Sequence, residues 1–302
     1  MHLGSLLAAV GSFLDARSRG GRWLVRMEDL DRARLVPGSA DEILRTLEAF
    51  GLPWDGEVEY QSRRTHLYAQ ALESLRSAGL TFECSCSRRE LATGGEPTQE
   101  ASARVRIRGP GALPPRMASG TPYPGTCREG PRRPGAAAIR FRIDQSQAIT
   151  FEDRFQGPVA IALKELGDVI VRRRDGVFAY QLAVVVDDAS QGITDVVRGA
   201  DLLESTGWQI ALQRALRLAV PRHAHLPLLL ESTGGKLSKS RRATALDAHQ
   251  AGAQVSQALR LLGLPPPAQL AGAPAATLLE WAAGRWNERP APLPRRIALE
   301  VA

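Results

Sequence analysis

Residues 1–18 read MHLGSLLAAVGSFLDARS, and this stretch decides how the chain begins to fold. It predicts an apolar helix that starts directly after a His-Leu-Gly-Ser run. Such a run usually follows a strand and a tight turn, but here only Met1 precedes His2. Because the first backbone N–H groups of a helix have no partners inside the helix, His2 either caps these groups or marks a site for an anion.

A second unusual stretch is KLSKS at residues 236–240, which follows two glycines. The chain has 39 lysines and arginines, and all of them except Lys164, Lys236 and Lys239 are arginine. Lysine supplies a compact, mobile charge where arginine supplies a planar fork, so two lysines in one loop indicate a site that needs the ammonium group. With the serine hydroxyls they suit a phosphate group that is transferred or leaves. A solvated basic turn is the alternative.

The pattern after the first helix predicts a strand and two further helices. GRWLVRMEDLD at residues 21–31 reads as a strand that runs into an acidic turn. Ser39 and Glu42 form a capping box that opens a helix, which stops at Gly51. Another helix covers roughly residues 66–78. This order of elements predicts the α/β class.

The second half of the chain continues the α/β pattern after an interruption. Residues 93–117 are rich in Gly, Pro, Ala and Arg without apolar periodicity, so we expect a surface insertion there. From residue 138 strand-like segments follow one another, with a helix predicted at 205–220 and a helical segment after residue 247.

Composition bounds the possible classes of protein. With 302 residues, 44% of them apolar, the chain can fill a sizeable core. No apolar run approaches the roughly 18 residues that span a bilayer, and the start has no signal-type segment. We therefore expect a cytoplasmic protein that does not bind membranes. The formal charge of +7 favours a polyanionic partner, for which nucleic acid is a candidate.

The chain has three cysteines: Cys84, Cys86 and Cys127. They are too few, and odd in number, for a disulfide framework. Thiolates suit Zn²⁺, which takes four ligands in a tetrahedron. No histidine lies between His66 and His223, so Tyr123 is the local candidate for the fourth ligand. Free buried thiols are the alternative.

The His-x-Gly-Ser run and the Lys-Leu-Ser-Lys-Ser loop are far more specific together than either is alone. They are the two signatures of the class I aminoacyl-tRNA synthetases, which this chain resembles. The segments RMEDLDRAR, DGVFAYQLAVVVDDASQGITDVVRGADLL and HLPLLL are similar to the glutamyl branch of that family. The likeness extends from His2 to about Trp286, and it is greatest to stand-alone catalytic domains that act on a tRNA base.

The resemblance implies a Rossmann-like doubly wound parallel sheet with an inserted zinc-containing subdomain and a short C-terminal helical segment. It implies that a monomeric enzyme activates L-glutamate with ATP and Mg²⁺ and transfers it to the queuosine base of tRNA(Asp). His2, Gly4, Lys236 and Lys239 match catalytic positions. The positions that match ATP contacts are His2, Gly4, Ser5 and Lys239, and those that match glutamate contacts are Glu28, Tyr180 and Arg198.

Each glutamate-pocket residue also has an ordinary structural interpretation. Glu28 can belong to a solvated acidic turn, Tyr180 to the core and Arg198 to a surface ion pair. Arg198 nevertheless suits a bidentate contact with a carboxylate.

The resemblance also implies one Zn²⁺ per chain, and its ligands would be Cys84, Cys86, Tyr123 and Cys127. The HAH run at 223–225 looks like a pair of metal ligands, but the HLPL that begins at His225 matches the entrance to a family strand, so we assign no metal to it. Residues 93–117 form a longer insertion than the family pattern leads one to expect.

The expected organisation has four parts. They are residues 1–80 as the first half of the catalytic domain, 81–137 as the zinc-binding insertion, 138–246 as its second half with the KLSKS loop, and 247–302 as a helical segment. The family has a strand and turn before the histidine that contact glutamate and ATP, so we expect the natural start to lie upstream of Met1. About sixty residues follow Ser240, too few for the large anticodon-binding region of an ordinary glutamyl-tRNA synthetase.

Two alternative functions remain open from the sequence. One is a non-catalytic, zinc-containing RNA-binding paralogue that lost activity with the first strand. The other is a minimal glutamyl-tRNA synthetase that works with other proteins. Glutamate-dependent ATP–pyrophosphate exchange separates the first of these from an enzyme.

Overall fold

The structure is a computed structural model that describes residues 1–87, 90–91, 105–107, 122–230, 245–289 and 292–298. The helices are α1 (Leu3–Arg17), α2 (Ser39–Ala49), α3 (Thr65–Ser77), α4 (Leu163–Leu166), α5 (Tyr180–Ser190), α6 (Ser205–Ala215), α7 (Ala251–Leu261) and α8 (Ala275–Ala283). Within the described ranges, no helix is long and apolar enough to cross a membrane.

The strands are short and belong to several small sheets. They are β1 (Arg26–Met27), β2 (Glu59–Tyr60), β3 (Thr81–Cys84), β4 (Val105–Ile107), β5 (Ala138–Phe141), β6 (Ala148–Asp153), β7 (Gly157–Ala162), β8 (Val169–Arg172), β9 (Asp195–Gly199), β10 (Arg222–Leu226), β11 (Leu228–Leu230) and β12 (Arg296–Ala298). Helices and strands alternate along most of the chain, which confirms the α/β class.

The largest sheet is mixed. Its strand order is β4-β7-β6-β10-β9, in which β10 pairs parallel with β9 and β6 while β7 pairs antiparallel with β6 and β4. The pair β1–β2 is parallel, and so is the pair β11–β12. A single parallel sheet is therefore not what the described strands form, because the hairpin of β6 and β7 brings antiparallel pairing into the same sheet.

Two predicted details differ from the structure near the second helix. Gly38, in the left-handed conformation with φ 77°, is the N-cap of α2, so Ser39 lies inside the helix and the predicted capping box is wrong. Only Arg26 and Met27 of the predicted strand at 21–31 pair with another strand. The predicted stop at Gly51 and the predicted end of the next helix at 78 agree with the structure, since Gly51 and Gly79 both have φ of 70°.

The predicted insertion contributes a strand to the largest sheet. Residues 105–107 form β4, which pairs antiparallel with β7 at the sheet edge. The rest of residues 93–117 lies outside the described ranges, and so does the KLSKS loop. The absence of apolar periodicity did not reveal β4, because three residues are too few to show a repeat.

The described residues form two large hydrophobic cores and a small third one of Phe82, Cys84, Tyr123 and Cys127. The first buries α1 against α7, α8 and β10, and Trp286 is fully buried at its centre. The second joins α3, α5 and α6 to the strands β5, β6, β7 and β8. Because α1 belongs to the first core and α5 to the second, the residues at the starts of these helices are held by different packing units.

A buried carboxylate connects α5 to α3. Asp187 is fully buried and accepts hydrogen bonds from Gln61 at 2.9 Å, from Arg64 at 2.7 Å and from the Tyr68 hydroxyl at 2.7 Å. A buried carboxylate costs free energy unless such donors surround it, so these contacts fix the position of α5 relative to α3.

Candidate active site

The first part of the site is the N-terminus of α1. His2 is the N-cap of this helix, and its Nδ1 accepts a hydrogen bond from the Ser5 backbone N–H at 3.3 Å. The Ser5 hydroxyl lies 3.1 Å from the other ring nitrogen. A Cβ added at Gly4 would lie 3.1 Å from the His2 ring, so glycine leaves room for the ring to fold over the first turn. The helix therefore presents a capped, positive dipole end.

A cavity of about 190 Å³ opens at this helix terminus. His2, Gly4 and Ser5 line one side, and Gly199 and Asp201 line another. The ends of β9 and β10 reach the same cavity, because Leu226 pairs with Gly199 in the sheet. The cavity thus connects the HLGS run to the carboxyl ends of two parallel strands, which is where ligands bind in open α/β sheets.

The second part of the site contains the predicted glutamate-pocket residues. Glu28 directly follows β1, Tyr180 is the first residue of α5, and Arg198 lies in β9. The charges of Glu28 and Arg198 act on each other and on the Tyr180 hydroxyl, so the structure brings all three into one neighbourhood. None of the three is adjacent to another in sequence.

The carboxylate of Glu28 is held in a crowded electrostatic environment. Burial raises the pKa of Glu28, the Arg26 guanidinium lowers it, and the Asp188 carboxylate raises it again. The side chain nevertheless keeps 43% of its surface open to solvent, so burial acts only on its inner side. Burial also raises the pKa of Tyr180, which keeps its hydroxyl protonated.

Arg198 is half-buried and anchored by neutral groups. Its Nε donates to His225 Nε2 at 3.1 Å, and one terminal nitrogen donates to the Thr206 hydroxyl at 2.9 Å and to the Leu202 carbonyl at 3.3 Å. Within the described ranges it has no ion pair with a carboxylate, so a surface ion pair does not explain it. Its charge is therefore available to an anionic ligand.

Two charged residues of this neighbourhood escaped prediction. Arg26 lies in β1 and donates to the Asp188 carboxylate at 2.8 Å, and its guanidinium is 3.9 Å from Glu28. Burial raises the pKa of Asp188, and the adjacent Arg26 opposes that shift. The sequence contained one signal for these residues, the two aspartates that end the apolar run VVVDD. Carboxylates next to a buried segment are seldom unpaired, so a basic partner such as Arg26 could have been expected.

Lys236 and Lys239 lie outside the described ranges, so their place relative to the cavity stays a prediction. The described chain ends before them at Leu230, in the strand β11, and resumes at Ala245, which forms a β-bridge with His2. The strand before the KLSKS loop therefore lines the cavity with Leu228 and Leu229. The residue at which the described chain resumes after the loop pairs with His2.

A separate cluster contains the three cysteines. Their sulfur atoms lie within 4.8 Å of one another, and those of Cys86 and Cys127 are 3.5 Å apart. The Tyr123 hydroxyl oxygen is 3.4 Å from the Cys84 sulfur and 3.8 Å from the Cys86 sulfur. The spacing in the sequence thus predicted correctly that all four side chains meet.

These distances fit a tetrahedral metal ion. Two ligand atoms that each lie about 2.3 Å from zinc are about 3.8 Å apart at a tetrahedral angle. Burial raises the pKa of the Tyr123 phenol, while the hydrogen bond that its oxygen accepts from the Cys127 backbone N–H at 2.8 Å acts in the opposite direction. Burial opposes ionisation of Cys127, but hydrogen bonds, first from Tyr123, lower its pKa to about 6. The donor set therefore suits a thiophilic cation such as zinc.

A family model and the most similar curated proteins point to the same family. The model of the "tRNA synthetases class I (E and Q), catalytic domain" matches residues 1–268. Glutamyl-Q tRNA(Asp) synthetase of Dechloromonas aromatica is 51% identical, with 95% of this chain and 90% of the relative covered. The protein of the same name from Pseudomonas aeruginosa PAO1 is 48% identical, with 95% and 89% covered.

Among solved structures, the chain is similar to a glutamate tRNA ligase from Elizabethkingia meningosepticum in complex with its amino acid. The TM-score is 0.63 at 26% sequence identity, over 80% of this chain and 50% of the ligase. The chain thus spans about half the length of that ligase.

Proposed function

Because the chain belongs to the glutamyl-Q tRNA(Asp) synthetases, within the class I tRNA synthetases for glutamate and glutamine, we propose that it activates glutamate with ATP and transfers it to queuosine in tRNA(Asp). The observation that supports this proposal is that Glu28, Tyr180 and Arg198 lie close enough for their charges to act on one another, and that Arg198 directly precedes Gly199, which lines the cavity at the start of α1. A carboxylate, a hydroxyl and a guanidinium at one place match the charges of an α-amino acid with an acidic side chain.

Arg198 and Glu28 take opposite charges of the amino acid. Arg198 donates to a carboxylate of glutamate, and Glu28 pairs with the substrate ammonium. The raised pKa of Glu28 falls back when the ammonium arrives, because an adjacent cation favours the ionised carboxyl. Arg26 and Asp188 hold one another beside Glu28 and so limit where its carboxylate can lie.

The activation step joins this pocket to the cavity at α1. An oxygen of the glutamate carboxylate attacks the α-phosphorus of ATP, the bond to the β-phosphate breaks, and pyrophosphate leaves. His2, Gly4 and Ser5 let the nucleotide approach the helix terminus, whose dipole favours its negative charge. Lys236 and Lys239 stabilise charge on the phosphates, and Mg²⁺ bound with ATP would supply further positive charge there.

The cysteine cluster holds one Zn²⁺ through Cys84, Cys86, Tyr123 and Cys127. Freshly purified protein should contain about one equivalent of zinc, and Cys127→Ser should contain less than half of that. The control is Ser87→Ala, which changes a half-buried serine next to the cluster whose hydroxyl bonds Glu90 and none of the four proposed ligands. Wild-type protein with well under half an equivalent would contradict this part of the proposal.

The proposed organisation keeps the four parts at 1–80, 81–137, 138–246 and 247–302, with a Rossmann-like core around the parallel strands. The chain acts as a monomer in this proposal. Sedimentation at micromolar concentration tests that point.

The test of the substrate uses labelled glutamate. Protein, ATP and labelled glutamate should label queuosine-containing tRNA(Asp), while tRNA(Asp) without queuosine and tRNA(Glu) should stay unlabelled. Equal labelling of either control tRNA would show that the substrate assignment is wrong. Absence of glutamate-dependent ATP–pyrophosphate exchange would refute activation itself.

A pair of arginine variants tests the pocket. Arg198→Lys removes the planar fork and should raise the KM for glutamate in the exchange assay at least about tenfold. Arg222→Lys is the control, because Arg222 lies in the adjacent strand β10 and is exposed. An unchanged KM for Arg198→Lys would remove Arg198 from the pocket.

A further inference from the structure

Three buried or half-buried groups form a hydrogen-bonded chain that ends at Arg198. The Asp153 carboxylate is 2.5 Å from His225 Nδ1, and His225 Nε2 is 3.1 Å from Arg198 Nε. Asp153 is 1% exposed and His225 is fully buried. The three residues lie at the end of β6 and at paired positions of β10 and β9. These hydrogen bonds therefore run from the central strand β6 through β10 to the edge strand β9 of the largest sheet.

The backbone holds the Asp153 carboxylate in a fixed orientation. Its Oδ1 accepts from three backbone N–H groups, those of Phe155 at 3.1 Å, Gln156 at 3.0 Å and His225 at 3.0 Å. Its Oδ2 consequently faces the ring of His225. Since an ionised carboxylate only accepts, Nδ1 of His225 must carry the proton that joins the two groups.

The position of that proton determines what His225 offers to Arg198. With Nδ1 protonated in the neutral ring, Nε2 is an acceptor, which is what the Arg198 N–H requires. Burial lowers the pKa of His225 and so keeps the ring neutral, although the Asp153 carboxylate opposes this. A neutral histidine of one tautomer therefore meets one edge of the guanidinium.

The other contacts of Arg198 leave part of it for a ligand. One terminal nitrogen donates to Thr206 and to the Leu202 carbonyl. Within the described residues, the second terminal nitrogen makes no hydrogen bond with the protein. Fixing Nε and one terminal nitrogen determines the plane of the guanidinium and the direction of this second nitrogen.

We propose that Asp153 and His225 are positioning residues, which hold Arg198 in the orientation that receives the carboxylate of the amino-acid substrate by fixing the tautomer of His225. The proposal rests on the function proposed above for Arg198. Neither Asp153 nor His225 touches the substrate, and both act through the guanidinium.

The decisive variant is Asp153→Asn. The three backbone N–H donors require an acceptor, so the amide oxygen takes the place of Oδ1 and the amide NH₂ faces His225. That NH₂ donates to Nδ1 and moves the ring proton to Nε2, where it opposes the Arg198 N–H. The same substitution is known in the serine-protease triad, where replacing the buried Asp by Asn leaves the histidine in the wrong tautomer and greatly lowers the activity.

Nitrogen NMR of ¹⁵N-histidine-labelled protein reads the tautomer without any activity. The chain has five histidines, so the His225 signals can be assigned by their loss in His225→Gln. The wild type should show Nδ1–H at His225, and Asp153→Asn should show Nε2–H. Nε2–H in the wild type would overturn the proposal even if glutamate activation is observed.

Exchange kinetics then test the effect on Arg198. Asp153→Asn should raise the KM for glutamate at least about tenfold, with the KM for ATP changed less than twofold. Asp15→Asn is the control. Asp15 lies on α1 and is about as buried as Asp153, but its partners are Arg154 and Trp286. If the wild type shows no exchange, the proposed function fails, whereas the NMR result still decides the tautomer.

A double variant separates positioning from general damage to the fold. Glutamine at position 225 can offer an oxygen near the place of Nε2, and it has no tautomer for residue 153 to select. Asp153→Asn should therefore change the KM for glutamate less than twofold when added to His225→Gln. An equal increase in both backgrounds would show that Asp153 does not act through the tautomer.

Discussion

Tyr68→Phe should lower the free energy of unfolding because it removes one of the donors to the buried Asp187. The Tyr68 side chain is fully buried, and its hydroxyl is 2.7 Å from the carboxylate. Burial, followed by the hydrogen bond to Asp187, raises the pKa of Tyr68, so the hydroxyl is a donor at every ordinary pH. Phenylalanine keeps the ring, which packs edge-on against Phe178 at 5.7 Å.

The expected loss is about 2 kcal/mol. A hydrogen bond to a charged group contributes about 1.5–3 kcal/mol. Gln61 and Arg64 still donate to Asp187 in the variant, which keeps the loss well below the about 3–5 kcal/mol of a buried charge left without its partner. At an m-value of about 3 kcal/mol/M, the urea midpoint should fall by about 0.7 M.

Equilibrium urea unfolding, followed by tryptophan fluorescence, measures this shift. Tyr60→Phe is the matched control, because Tyr60 is half-buried and its hydroxyl has no hydrogen-bond partner among the described residues. The Arg63 guanidinium lies 4.7 Å from the Tyr60 ring centre and would remain there. A midpoint for Tyr68→Phe within about 0.2 M of the control would refute the idea that Asp187 holds α5 to α3 through this bond.

Two further results are expected. Gly167→Ala should lower the free energy of unfolding by more than about 2 kcal/mol and reduce retained zinc, because φ is 70° and an added Cβ would lie 2.5 Å from the Tyr123 backbone nitrogen. The control Gly20→Ala has a similar φ of 64° but open space around it, and retained zinc should be unchanged. Burial lowers the pKa of His223 to about 3. As the pH falls below about 6.5, this histidine is protonated in the unfolded chain but stays neutral in the folded chain, so the free energy of unfolding decreases. The wild type should lose about 2 kcal/mol more than His223→Gln between pH 7 and pH 5, and equal losses would contradict this.

Local patterns predicted α1, α2, α3 and α6 and grouped the residues of the cysteine cluster, but the apolar run that forms α5 was placed among strand-like segments. The run from His2 into α1 is decided by neighbours in sequence, since the cap and the first turn lie within four residues. Cys84, Cys86, Tyr123 and Cys127 were grouped correctly because two short segments on either side of one insertion contain them all. Glycines in the left-handed conformation, such as Gly51, also end helices through a local property of the backbone.

Long-range pairing explains what was not predicted. The strand β4 is defined by its pairing with β7, and its three residues are too few to show an alternation of apolar and polar side chains. The HAH run indicated His225 only as one of two possible metal ligands, whereas its actual partners Asp153 and Arg198 lie 72 and 27 residues away in the sequence. Nothing in the spacing of these residues shows that a sheet register will align them. The role of Gly38 at the start of α2 was hidden because the adjacent Ser39 offered a more familiar cap.

The pairing of β11 with β12 has a consequence for the order of assembly during synthesis. Leu228 pairs with Arg296, so the two strands are 68 residues apart in the chain. A ribosome that adds about 5–20 residues per second needs several seconds to make this interval, and β11 has an unpaired edge until β12 emerges. Strands closed by distant partners form late, so the segment that leads to the two lysines should be among the last parts of a nascent chain to become ordered.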